Sequence, residues 1–146
     1  MKFRFRLAPA LRIIELEENK KKMEIARIYG NLNSLEVRRD QLSLNVHHLL
    51  SSGIGNETSS LWLAYRSNKI EADRAESQVL ERKITDQKEL LHNKQGELAV
   101  IMMKRRAFER KKESELRIFN MGEGRKEQKR LDDNHQILRL LRKVSS

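Results

Sequence analysis

From Leu61 to Phe119 the chain contains no proline and a single glycine, Gly96. The stretch is dense in Glu, Lys, Arg, Gln and Leu, all good helix formers. Apolar residues recur at Leu63, Ile70, Leu80, Ile84, Leu91, Leu98, Ile101, Phe108 and Phe119. Each gap is three, four or seven residues, or seven plus three or four. That is the a/d register of a coiled coil, narrower than the stripe of a globular helix. At about 1.5 Å per residue such a helix measures roughly 90 Å. A chain of 146 residues has no globule large enough to bury it, so a second helix must run alongside.

The preceding residues supply that helix. Leu11, Ile14, Ile25, Ile28, Leu32, Leu35, Leu42, Val46 and Leu49 fill nine of twelve consecutive a/d positions, and Glu18, Lys21 and Arg39 fill the other three. Pro9 suits a first helical turn, where its missing N–H is unneeded. The run Lys2-Phe-Arg-Phe-Arg-Leu7 reads as an extended lead-in or a frayed first turn. Residues 51–60 gather serines and two glycines, Gly53 and Gly55, and form a turn. Ser59 or Ser60 caps the helix that follows.

The expected fold is therefore all-α: one domain of residues 1–146, a long antiparallel coiled-coil hairpin. Helix one covers about 9–50, the turn 51–60, helix two about 61–121, and a basic tail 122–146. The glycines of Met121-Gly-Glu-Gly124 interrupt or kink the end of helix two. If Leu50 faces Leu61, Pro9 faces Met102 or its neighbour. Everything beyond about Arg110 then overhangs. The second seam is weak, because Arg66, Asp73, Ser77, Gln87, Lys94, Arg105, Lys112 and Glu115 occupy eight of its seventeen a/d positions.

Apolar residues are 38% of the chain and charged residues 36%, so there is no deep interior and a buried catalytic cleft is not expected. No cysteine is present, which removes disulfides and thiolate metal sites. No apolar run approaches the roughly 20 residues of a membrane span. His47, His48, His92 and His135 lack ligand spacing and are expected at the surface. No nucleophile motif or desolvated carboxylate pair is visible, so the chain reads as a non-enzyme without cofactor or metal.

The net charge of +10 is uneven: +4 over residues 1–50, −1 over 51–100 and +7 over 101–146. Lys104-Arg-Arg106 and Arg110-Lys-Lys112 are the densest basic runs. They read either as a solvated face or as a binding surface for an acidic partner. Phosphate contacts to nucleic acid are an alternative, but Phe108 is the only aromatic among the triplets. Trp62 and Tyr65, just past the turn, either cap the hairpin or anchor a partner. Ala72, Ala75 and Val79 continue along that helix as a smooth strip.

Lys2-Phe-Arg-Phe-Arg-Leu-Ala-Pro-Ala-Leu-Arg-Ile13 resembles the start of the FliJ family, soluble components of the flagellar type III export apparatus. Lys104-Arg-Arg-Ala-Phe-Glu-Arg-Lys-Lys-Glu113 and Gly124-Arg-Lys-Glu-Gln-Lys-Arg-Leu-Asp132 are similar to that family too. The resemblance implies an antiparallel coiled coil like the central stalk of rotary ATPases. It implies binding to the hexameric export ATPase FliI and to the export gate protein FlhA, with contacts to export chaperones. It places the chain in the cytoplasm, peripheral to the inner-membrane export apparatus. The ATPase-contacting residues would be Lys2, Phe3, Arg4, Phe5, Arg6, Lys104, Arg105, Arg106, Phe108 and Arg110. The gate-contacting residues would be Trp62, Tyr65, Asn68, Ala72, Ala75 and Val79; Asn68 stands where other members carry a bulky apolar residue. Stalk proteins of virulence secretion systems share this architecture.

Overall fold

A computed structural model of the chain describes residues 2–52 and 59–144. Two helices make up nearly all of it: α1, Ala8–Ser51, and α2, Ser60–Val144. Among the described residues there is no strand, and the helices pack antiparallel as a hairpin. The chain divides into two compact units: Met1–Glu17 with Ile101–Ser146, and Glu18–Val100.

In the unit Glu18–Val100 the heptad pattern becomes a seam. Ile28, Leu32 and Ile84 form a buried cluster, with Leu35 and Leu91 packed against it. Ile84 is 2% exposed and Leu42 1%. The polar a/d residues take the same face as the apolar ones. Asp73 is 1% exposed, Glu18 is buried, and Lys21, Arg39, Ser77, Gln87 and Lys94 are half-buried. Ser59 caps α2, its Oγ accepting from the Trp62 backbone N–H at 3.1 Å, so one orphan donor of the first turn is satisfied.

The register differs from the sequence expectation. Across the seam, the numbers of facing residues add to about 119 (Lys21 with Glu97, Glu24 with Lys94, Arg39 with Glu81). Leu50 meets Leu63, Arg66, Ser67 and Ile70, which line one groove with it, rather than Leu61. The first two turns of α2 therefore run past the end of α1, a displacement of eight residues or about 12 Å. The pairs Lys21–Glu97, Glu24–Lys94 and Arg39–Glu81 depend on this register, while Arg38 also reaches across to Glu76.

In the unit Met1–Glu17 with Ile101–Ser146 the lead-in is extended through Phe5, with a turn at Arg6–Leu7. Phe5 and Leu11 are buried. Phe3 packs on Phe119, ring centroids 5.5 Å apart. The lead-in thus covers α2 as far as Phe119, and Gly122 and Glu123 are still half-buried. The overhang starts at Gly124, not at Arg110. Nor does the helix stop at 121: it continues to Val144 as α2. Neither Gly122 nor Gly124 takes a positive φ. Two glycines cost about 2 kcal/mol of helix propensity relative to alanine, yet the helix runs through both.

Ile84→Ala should cost about 3 kcal/mol, as for a well-buried aliphatic truncation, read as a lowered urea midpoint. Deleting residues 125–146 should leave that midpoint unchanged within about 0.5 kcal/mol, because the described part of that segment is exposed throughout.

Candidate interaction surfaces

The candidate ATPase-contacting residues come together in one unit, and they separate by chemistry. Lys2, Arg4, Arg6, Lys104, Arg106 and Arg110 are exposed. The aromatic members are not: Phe5 is 7% exposed, and Phe3 and Phe108 are half-buried. The cause is the lead-in, whose backbone joins α1 only at its end, where the Phe5 and Leu7 carbonyls accept from Ala8 and Leu11, and which seats Phe3 on Phe119 of α2 and buries Phe5. Arg105 occupies a seam position and pairs with Glu109 at 3.2 Å. What faces outward is a set of cations without aromatic faces, suited to carboxylates or phosphates rather than to stacked bases. Lys111, Lys112 and Arg117 are exposed on the same stretch and extend the set.

Beyond Glu123 the chain presents one more surface. Every described residue of Gly124–Val144 is exposed, including Leu131, Ile137, Leu138, Leu140, Leu141 and Val144. Arg125, Lys126, Lys129, Arg130, Arg139, Arg142 and Lys143 outnumber Glu127, Asp132 and Asp133. Gln128 bonds Asp132 one turn on, at 3.3 Å.

The candidate gate strip lies in the other unit. Tyr65, Asn68, Ala72, Ala75 and Val79 are all exposed, and their spacing of three and four places them on one face of α2. Tyr65 is 56% exposed and its ring sits 5.7 Å from that of Trp62, tilted. Trp62 is half-buried. A groove of about 470 Å³ lined by Leu50, Leu63, Arg66 and Ile70 opens nearby. The sequence reading missed it because it set Leu50 against Leu61; the heptad count alone cannot distinguish registers a whole heptad apart.

The seam of the unit Glu18–Val100 carries a four-charge cluster. Lys21 Nζ lies 2.6 Å from Glu97 and 3.3 Å from Glu24. Lys94 lies 3.4 Å from Glu24 and 3.6 Å from Glu97. The hydrogen bonds from Lys21 hold both carboxyls below their ordinary 4.5, and the bond to Glu97 raises Lys21 above 10.5. Nearby, Gln95 donates to the Tyr29 hydroxyl at 3.0 Å. Among the described residues no group of His, Cys, Asp and Glu could hold a metal ion, and no helix is long and apolar enough to cross a membrane.

Compared with known proteins, the chain matches no family profile, no curated protein and no solved structure.

Depressed carboxyl pKa values stabilise the fold above the unfolded value, and that contribution disappears as pH falls through the folded value. For Glu24 and Glu97 the loss begins below pH 4.5. For Lys21, whose pKa is raised, the contribution is present at neutral pH and is lost only as pH rises beyond 10.5. The urea midpoint should therefore fall on acidification below pH 4.5, and Lys21→Met should reduce that fall.

Proposed function

We propose that this chain is a non-enzymatic coupling component of flagellar type III protein export. In this reading its basic terminal end binds the hexameric export ATPase, as a rotary-ATPase stalk binds its ring, and the strip after Trp62 engages the export gate. The observation that carries the reading is the exposed helix Gly124–Val144, basic on balance, which extends past the last residue that the lead-in covers. A helix with this exposure has surface to place inside a partner. The outward-facing cations of Lys2–Arg6 and Lys104–Arg110 add charge suited to an acidic collar. The resemblance of residues 2–13 and 104–132 to the FliJ family supplies the partner, and the exposed face of Tyr65 to Val79 agrees with the strip the resemblance assigns to the gate.

The inward aromatics weigh against the nucleic-acid alternative, since single-strand binding relies on stacking platforms. Nucleic-acid affinity would also fall steeply with salt.

Titrating the cognate export ATPase with this protein should stimulate ATP hydrolysis and promote the hexamer. Lys104→Glu, Arg106→Glu and Arg110→Glu together should weaken binding at least about tenfold and leave the helical circular dichroism unchanged. Arg105 is left intact because it serves the seam. An active ATPase that neither binds nor responds would overturn the reading, and salt-sensitive filter retention of nucleic acid would replace it.

A further inference from the structure

The seam of the unit Glu18–Val100 is poorly matched in its observed register. Counted at 119, Lys21 faces Leu98, Ile25 faces Lys94, Leu32 faces Gln87, Arg39 faces Leu80, Leu42 faces Ser77 and Val46 faces Asp73. Six of these nine layers set a polar residue against an apolar one; only Ile28 with Leu91, Leu35 with Ile84 and Leu49 with Ile70 are apolar on both sides. The mismatch leaves physical traces. Asp73 is buried and bonds Lys69 at 3.1 Å, yet its Oδ2 has no hydrogen-bond partner. Gln87 Oε1 is likewise buried without one. An open groove of about 220 Å³ runs beside Leu42, Val46, Asp73 and Ser77, and another of about 370 Å³ beside Leu35 and Gln87. Leu63, a seam residue, is 45% exposed.

One displacement repairs part of this mismatch. A coiled coil can change register only by whole heptads if the same faces are to meet. Slipping α2 by seven residues, about 10.5 Å, brings facing numbers to 112. Arg39 then meets Asp73, and Glu18 meets Lys94. Ile28 meets Ile84, Leu32 meets Leu80, Leu42 meets Ile70, and Leu49 covers Leu63. The polar mismatches drop to four of ten layers: Lys21 with Leu91, Ile25 with Gln87, Leu35 with Ser77 and Val46 with Arg66. What the slip breaks is a set of ion pairs whose cations Lys21, Lys94 and Arg39 are half-buried in the seam (Lys21 with Glu97, Lys94 with Glu24, Arg39 with Glu81), together with Lys88 with Glu36 and Gln95 with Tyr29 at its edge. Part-exposed ion pairs contribute modestly, whereas a buried carboxylate with one oxygen unpartnered, as at Asp73, carries a desolvation cost. The eight residues between Ser51 and Ser60 can reach either register, since extended chain spans about 3.3 Å per residue.

We propose that this helical hairpin has two registers one heptad apart, one held by the ion pairs Lys21–Glu97, Lys94–Glu24 and Arg39–Glu81 and the other by the seam pairs Arg39–Asp73 and Glu18–Lys94. The slip has an output at the turn. In the observed register the groove of Leu50, Leu63 and Ile70 is open; in the other, Leu49 closes over Leu63. A partner that fills the groove selects the open register, and displacement of α1 along α2 closes it. This inference stands on the seam alone and survives failure of the export reading.

The chain has no cysteine of its own, so engineered pairs report register directly in the full-length protein. Ile28→Cys would be combined with Leu91→Cys for the observed register, with Ile84→Cys for the slipped one, and with Leu98→Cys as a control for the opposite slip. Under mild oxidation the first pair should close fastest, and the second should close at least about tenfold faster than the third, because only a populated register brings its thiols within disulfide reach. Adding Asp73→Arg should slow closure of the Ile28/Ile84 pair, and a further Arg39→Asp should restore it. Spin labels on exposed Ala26 and Gln78 give a second measurement with the core intact: two distances, the shorter by about 8 Å. A single distance, or Ile28/Ile84 closure no faster than the control, overturns the proposal.

Discussion

Two helices that share one narrow seam have little else to bury, so the stability and the surfaces of this hairpin depend on which residues meet across it. Hydrophobic burial scales with apolar area removed from water, and here that area is concentrated around Ile28, Leu32 and Ile84. Away from that cluster the seam is held by charge. Lys21, Glu24, Lys94 and Glu97 close a four-membered cluster across the helices, and Arg39 reaches Glu81. Such pairs contribute little energy but discriminate between alignments, since a slip that leaves apolar layers intact separates the charges. The register of the seam is then a balance, in which Asp73 sits buried with one oxygen unpartnered so that the flanking pairs can form.

The same register decides what is left over for other molecules. Because α2 begins two turns past the end of α1, Leu63 and Tyr65 are exposed and a groove opens below Leu50. In the other unit, the lead-in has to be fastened to α2 by Phe3 and Phe5, so those rings are withdrawn from the surface and their neighbouring cations are not. A surface of cations over withdrawn aromatics is built for charge complementarity and for fast, salt-sensitive encounter. The helix after Glu123 differs again: charged and apolar residues alike face solvent.

Much of this could be read in advance from particular residues. The a/d assignment held closely: all twelve positions in α1 and fifteen of seventeen in α2 are buried or half-buried, with Leu63 and Lys112 the exceptions. Ser59 as a cap follows from serines placed before an apolar run. The strip from Tyr65 to Val79 follows from spacing. The start of the overhang did not follow, because it depends on register, and a heptad pattern repeats itself every seven residues. Gly122 and Gly124 misled for a related reason. Glycine weakens a helix by propensity, but the residues on both sides hold helical geometry and neither glycine adopts the left-handed conformation that would end it.

Two helices, the place of the break between them, the face each shares and the gathering of cations toward the termini are all written in the residue pattern. These are local properties: periodicity, capping and composition act within a few turns. Tertiary structure alone decided how far one helix is displaced along the other. The observed displacement rests on contacts between residues far apart in the chain, Lys21 with Glu97 and Arg39 with Glu81, and it sets where the groove opens beside Leu50.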